Sequence, residues 1–287
     1  MKKNKRISVV IPVKGTPSSL QSCLRGFLNQ SSDVHEIIVV GSKDYLIKIK
    51  NYIVANEKKR IIFLNCSGDK NEARNIGFLR AKGDYVLYAD DDMVPQENLI
   101  EECTKYANNF DALIIPEQGI STRGYLSKIY SLEKKIVSSD PDALTPRLFR
   151  RSLFKNSEMP FDKKFGALDE WGFNFKLKAK KPNVGTIKLS LFTVIDHSTL
   201  TNRIKKSFKK GLWIRNLIAT DKKEALRRIN PIKRGVEVYG KKLNLFIKNP
   251  IIFSGLIFIK FLDFFSFISG YLFSFFNNIY INQRDVK

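Results

Sequence analysis

The sequence predicts an α/β domain built on a mostly parallel sheet with helices covering both faces. Short, continuously apolar stretches alternate with amphipathic ones through residues 7–116. Strands buried on both faces read as unbroken apolar runs, and their alternation with helical patterns marks βα units. Three consecutive aspartates, Asp90-Asp91-Asp92, close one of these runs and precede Met93-Val94-Pro95. They are therefore expected on a loop at the carboxyl end of a strand, where open α/β sheets bind ligands.

The first strand is expected over residues 7–13. Thr16 and Pro17 then suit the N-cap and first position of a helix whose apolar face carries Leu20, Cys23, Leu24, Phe27 and Leu28. A second strand, 37–40, leads through Gly41-Ser42-Lys43-Asp44 to a helix with Leu46, Ile49 and Ile53 on one side. A third, 61–64, precedes Ser67-Gly68-Asp69 and a helix over 72–81. The fourth, 85–88, runs into the aspartates, and Pro95 is read as the first turn of a helix ending near Tyr106. Residues 112–116 form one more strand, 117–180 mix helices and loops, and a strand near 192–195 ends at Asp196-His197. There is no internal repeat.

Lys and Arg exceed Asp and Glu by 22, and residues 203–248 hold much of that excess. Such a block suits phosphates of nucleic acid or of an anionic membrane. Nucleic-acid binding would require a recognisable module, and none is visible. Trp213 and Tyr239 suit a membrane interface instead, and the apolar stretch 250–276 follows directly. That stretch is long enough to cross a bilayer, which takes about 20 apolar residues. Lys260 and Asp263 in its middle, followed by Ser266, Gly270 and Ser274, favour a helix lying in the interface or packed on another helix. The chain is accordingly read as a domain over 1–202, a basic segment over 203–248 and a membrane-associating tail over 249–287. Cys23, Cys66 and Cys103 have neither metal nor redox spacing and are expected as reduced core thiols in a cytosolic setting. The apolar run behind the basic start, Met1 to Arg6, is too short for a secretion signal.

Four blocks carry a family resemblance: Ile7-Ser8-Val9-Val10-Ile11-Pro12-Val13; Gln30 with Glu36-Ile37-Ile38-Val39-Val40; Ala73-Arg74-Asn75-Ile76-Gly77 with Ala81-Lys82-Gly83-Asp84; and the aspartate triplet. In this order and spacing the chain resembles glycosyltransferase family 2, the inverting group with the GT-A fold. Its later half looks like a membrane-associated bacterial and archaeal branch that builds cell-surface glycans. Ile115-Pro116-Glu117, Leu132-Glu133-Lys134, Arg147 to Arg151, Phe161-Asp162, Leu168-Asp169-Glu170-Trp171 and a terminal His197 carry that second likeness.

The resemblance implies a nucleotide-diphosphate sugar donor bound by Pro12, Val13, Arg74, Asp90 and Asp91. It implies Mn²⁺ or Mg²⁺ held by Asp92, with Asp90 and His197 nearby, and Asp91 at least orienting the loop. The cation would offset charge developing on the leaving diphosphate. Inversion also needs a base at the acceptor hydroxyl. The family's Glu-Asp pair is reversed here as Asp169-Glu170, so Glu170 occupies the base position and Asp169 is the alternative. Trp171, Arg147 and Arg150 are candidates for the acceptor, the arginines otherwise lying in solvent. The second strand lacks the family's aspartate for the nucleotide base, and Asp44 reads as a helix cap. His35 reads as surface. The implied protein transfers a sugar to a lipid-linked or growing glycan acceptor at the cytoplasmic membrane face. Its rivals are a polyprenyl-phosphate sugar synthase and a catalytically silent assembly factor.

Overall fold

A computed structural model of the chain describes residues 5–50, 60–120, 124–140, 143–155, 157–195, 199–230, 238–240 and 248–276. The chain forms two compact units, both discontinuous in sequence. The first comprises Met1–Gln118, Leu144–Phe161 and Phe173–Val194; the second comprises Gly119–Ala143, Asp162–Gly172 and Ile195–Lys287.

The first unit is the expected α/β sheet. Its opening strands are β1 (Ile7–Pro12), β2 (Glu36–Gly41), β3 (Ile61–Asn65) and β4 (Tyr85–Tyr88). The helices between them are α1 (Pro17–Leu28), α2 (Lys43–Lys50) and α3 (Lys70–Arg80). Thr16 caps α1 through its hydroxyl, and Asp69 caps α3. Further on come β5 (Met93–Pro95), α4 (Leu99–Tyr106), β6 (Ala112–Ile114) and β7 (Glu117–Ile120). Strands β8 (Leu148–Arg150), β9 (Val184–Thr186) and β10 (Leu191–Val194) complete the set.

The main sheet runs in the order β3-β2-β1-β4-β8-β6-β9. Strands β1 to β4 are mutually parallel where they pair, whereas β8 lies antiparallel to both of its neighbours. The chain moves outward from β1 to β3 and then returns to place β4 on the other side of β1. This is a topological switch point, and the crevice at the carboxyl ends of β1 and β4 is the expected ligand position. Alternate residues of each central strand feed two cores. Val9, Ile11, Ile37 and Val39 meet Leu20, Cys23, Leu24 and Phe27 of α1 on one face. Val10, Ile38, Val40 and Tyr88 meet Phe78, Phe149 and Phe161 on the other. Burial on both sides explains why these strands read as continuous apolar runs.

Two local expectations are corrected. Pro95 does not start a helix: Met93–Pro95 pair antiparallel with β10, Pro95 opposite Leu191. Helix α4 begins four residues later, after Asn98 in a left-handed conformation with φ 66°. The long-range partner overrides the local proline signal. Strand β8, with only Leu148 and Phe149 between arginines, is too short to show in the sequence, yet it separates β4 from β6. Ile53 falls outside the described residues.

The second unit is helical: α5 (Tyr125–Ser138), α7 (Leu200–Thr220), α8 (Lys222–Ile229) and α9 (Pro250–Phe276). Helix α6 (Asp169–Ala179) begins in this unit and ends in the first. The expected domain boundary at residue 202 lies inside α7, because Thr199 caps one continuous helix by accepting from the Asn202 amide at 3.2 Å. Helices α7 and α9 run side by side in the same direction. Arg203 meets Asp263 near one end, and Arg215 donates to the Ser274 carbonyl at 2.9 Å near the other. Gly211 and Gly270 allow this approach: a Cβ on Gly211 would lie 2.0 Å from the Phe267 carbonyl oxygen, and one on Gly270 2.1 Å from that of Phe208. Asp263, Ser266, Gly270 and Ser274 of the apolar stretch thus face protein. Its aromatic face does not: Phe258, Phe261, Phe265 and Phe275 are each more than half exposed.

Candidate active site

The carboxyl ends of β1 and β4 frame a cavity of about 430 Å³ in the first unit, within the range of small-molecule sites. Pro12, Val13 and Lys14 form one wall, Gly41 and Tyr45 another, and Asp90 and Asp91 its floor. The three aspartates make a tight turn in which the Met93 amide donates to the Asp90 carbonyl at 3.0 Å. The Cys23 thiol braces the same carbonyl at 3.6 Å. Burial and the neighbouring aspartates push that thiol's pKa up, which keeps it an inert core group.

Each aspartate has its own environment. Asp90 bonds Lys70 at 2.8 Å and Arg74 at 3.0 Å. Arg74 is itself buried, at 1% exposure, and its guanidinium lies 4.7 Å from the centre of the Phe161 ring. Burial would raise the Asp90 pKa, but Lys70, Arg74 and Arg147 outweigh it and hold the carboxyl well below its usual range. Asp90 is therefore a fixed anion. Asp91 accepts the backbone amides of Lys14 at 2.7 Å and Gly15 at 2.5 Å through a single oxygen. It ties the β1 loop to the β4 loop. Asp92 is half-buried in the turn just before β5.

Lys70 and Tyr45 are site residues that sequence reasoning missed. Lys70 stands at the first position of α3, where the helix dipole disfavours a cation. That misplacement was a legible signal of a local anion. Tyr45 lines the cavity with a buried hydroxyl that has no hydrogen-bond partner among the described residues. Burial, reinforced by Asp91, pushes that hydroxyl up to about 12, so it stays a neutral donor.

The two candidate acceptor arginines have different surroundings. Arg147 is not in solvent and is not open to an acceptor, because it is 7% exposed and its Nε donates to Glu117 at 2.6 Å. Arg150 pairs with Asp111 at 3.0 Å. Antiparallel pairing of β8 places it opposite Tyr85, at the amino end of β4 and away from the aspartates.

The candidate base pair opens α6 in the second unit. Residues 163–168 form a 3-10 turn before it, with Gly166 at φ 43°. A Cβ there would lie 2.1 Å from the Trp213 ring, so glycine is required twice over. Asp169 and Glu170 stand in the first helical turn, where the dipole favours anions. Both carboxylates act on the charge of Lys210 in α7. Trp171 lies beneath Arg228, 5.5 Å from ring centre to guanidinium. Asp196 and His197 fall outside the described residues. Among the described residues no three His, Cys, Asp or Glu side chains converge on one point. Cys23, Cys66 and Cys103 are buried and unbridged, as expected.

A switch-point cavity with an acidic turn beside a basic helix start defines a GT-A-type α/β domain. The sequence profile of Glycosyl transferase family 2 matches residues 8–175, and the chain belongs to that family. Among curated relatives, the glycosyltransferase GlyG of Streptococcus pneumoniae is 31% identical over 38% of this chain and 37% of its own length. The poly(ribitol-phosphate) beta-glucosyltransferase of Bacillus spizizenii is 29% identical over 62% of this chain and 31% of its own. The chain thus spans about a third of the length of these relatives. Among solved structures, Staphylococcus aureus TarS 1-349 in complex with UDP-GlcNAc superposes with a TM-score of 0.54 at 14% identity, over 96% of this chain and 93% of that one. At that identity the likeness speaks for the fold.

Proposed function

We propose that this chain is an inverting, metal-dependent glycosyltransferase that moves a sugar from a uridine diphosphate donor to a surface-glycan acceptor at a membrane. The observation that carries the reading is the acidic turn at the β1/β4 switch point, set beside Lys70 and Arg74. The uridine nucleotide is suggested by the TarS complexes with UDP and UDP-GlcNAc, and the acceptor class by the poly(ribitol-phosphate) relatives.

The oxygen donors of Asp92 and Asp90 suit a hard divalent cation completed by phosphate oxygens. With no three-ligand cluster among the described residues, such a cation would be shared with the donor rather than caged by protein. When bound, it supplies Lewis-acid stabilisation of the leaving diphosphate. The chain's own groups do the rest. Asp90, fixed by two cations, presents a permanent anion at the cavity floor, and Asp91 holds both loops in register. Glu170 accepts the proton of the acceptor hydroxyl. As that oxygen bonds to the anomeric carbon, the carbon–phosphate oxygen bond breaks and the electron pair leaves with the nucleoside diphosphate. Attack from the opposite face inverts the configuration.

Asp92→Asn is expected to remove the Mn²⁺-dependent part of UDP-GlcNAc binding while preserving the fold. Thermal stability with saturating nucleotide, with and without Mn²⁺, measures this, since a ligand at 100 times its Kd stabilises by about 2.7 kcal/mol. An unchanged Mn²⁺-dependent shift would sink the metal assignment.

We place α9 in the plane of the membrane. The helix is long and apolar enough to cross. However, α7 runs along it and carries exposed Lys205, Lys206 and Lys209 at the level of residues 263–271. A crossing would drag these cations into hydrocarbon at about 2.5–3.5 kcal/mol each. Lying flat, α9 buries its aromatic face while the lysines meet headgroups, each attracted by about 1 kcal/mol. Truncation after Lys248 is therefore expected to leave weak, salt-sensitive binding to anionic vesicles, whereas the full chain stays bound at high salt. Sedimentation at low and high ionic strength checks both forms. A full-length chain that remains soluble without lipid or detergent overturns the placement.

A further inference from the structure

The second unit holds a cavity of about 480 Å³ to which none of the roles above assigns a ligand. Its sides differ in chemistry. Leu256, Ile257 and Phe264 of α9 supply an apolar wall, while Lys210, Arg228 and Trp171 line the remainder. Arg228 is engaged by Glu224 at 2.9 Å. Lys260 and Asp263, which also border the cavity, belong to an ion network with Glu133 and Arg203. Lys210 is different, since it forms no salt bridge among the described residues. Burial, aided by the charge of Lys206, pushes its ammonium down to about 8, with Glu170 and Asp169 opposing. A half-buried cation in that position is stabilised by an anion brought from outside.

The apolar wall narrows the choice of anion. Free phosphate would satisfy Lys210 and leave the wall wet, whereas an uncharged alkyl chain would fill the wall and leave Lys210 without a bonded anion. We propose that this cavity binds the phosphate or diphosphate ester of a long apolar alcohol, with the phosphate at Lys210 and the chain along α9. Ile257 is 55% exposed and Phe264 38%, so the wall continues into the open aromatic face of the helix. A chain longer than the cavity can extend along that face. The inference rests on the acceptor reading above, because Asp169 and Glu170 act on the same Lys210 charge. It assigns the lipid-phosphate end of the acceptor to this cavity.

The chain contains two tryptophans, and only Trp171 lines the cavity. In a Trp213→Phe background, Trp171 fluorescence therefore reports occupancy. The full chain in nonionic detergent is titrated with farnesyl phosphate, farnesol and inorganic phosphate, with no sugar donor present. Farnesyl phosphate is expected to bind at lower concentration than either of the others. Lys210→Gln should weaken farnesyl phosphate at least about tenfold, the worth of one charge-assisted hydrogen bond, and leave farnesol unchanged. Phe264→Ser should weaken both farnesyl compounds and spare inorganic phosphate. If Lys210→Gln leaves farnesyl phosphate binding unaltered, or inorganic phosphate binds as tightly as the ester, the proposal is overturned. Because no turnover is read, a chain that fails to transfer sugar would still bind the ester. A chain that transfers sugar but shows no Lys210 dependence would refute the cavity assignment alone.

Discussion

Replacing Glu170 with glutamine is expected to cut sugar transfer by about two to four orders of magnitude, the usual worth of a general base, with donor affinity nearly unchanged. The amide keeps the size and most hydrogen-bonding capacity of the carboxylate but cannot take a proton at neutral pH. The fold should tolerate it, because the start of α6 is set by packing. Gly172 admits the Phe165 ring, which an added Cβ would meet at 2.1 Å, and Gly166 admits Trp213. Asp169→Asn should cost less. Successive residues on a helix point about 100° apart, so only one of the two carboxylates can face a given hydroxyl. Steady-state kcat for both variants, with donor Kd measured separately, decides the matter. If Asp169→Asn has the larger effect, Asp169 is the base. If neither variant loses more than a few-fold, the base is not in this pair.

How much of this was readable in advance depended on the range of the interactions involved. The β1 to β4 alternation was legible because β1, β2 and β4 are buried on both faces and α1 and α3 carry their own caps, Thr16 and Asp69. The β5–β10 pairing was not, because Met93–Pro95 find their partner nearly a hundred residues away. At the site, the aspartates were legible as a run, but their division of labour was not. That Asp90 pairs with buried Arg74 and Asp91 with two backbone amides depends on loops brought together by the fold. Arg147 and Arg150 looked equivalent in sequence, yet β8 sends one toward Glu117 and the other toward Asp111, at opposite ends of the strand. The tail was half legible. The small and polar stripe announced a packed face, while Lys260 and Asp263, 3.8 Å from each other, also draw partners from α5 and α7.

Those partners place the Glu133 charge between two cations of the second unit. Arg203 bonds both Glu133 and Asp263. Lys260 reaches Glu133 as well, Ser207 donates to Asp263 at 2.9 Å, and the Tyr130 ring lies 4.8 Å from the guanidinium. Two cations thus share two anions, at side-chain exposures of 15% to 36%. Glu133→Gln leaves Arg203 and Lys260 with Asp263 alone, and breaking a largely buried ion pair from one side costs about 3–5 kcal/mol. For a chain of this size that is a fall in Tm of roughly 5–8 °C. Burial would raise the Glu133 pKa, but Lys260 and Arg203 outweigh it and bring the carboxyl down to about 2. A depressed carboxylate stabilises fully above its unfolded pKa, and that contribution is lost as pH falls through the folded value. Wild-type chain should therefore lose stability from about pH 4.5 toward pH 2, by something on the order of 3 kcal/mol from this group. The Glu133→Gln variant should start lower at pH 7 and show a shallower acid slope. Thermal denaturation of both in detergent at pH 7, 5 and 3.5 measures it. Equal Tm values at pH 7 would mean that the network is not what holds α9 to α5 and α7, leaving that role to the glycine contacts and the apolar cluster around Ile129, Phe253 and Leu256.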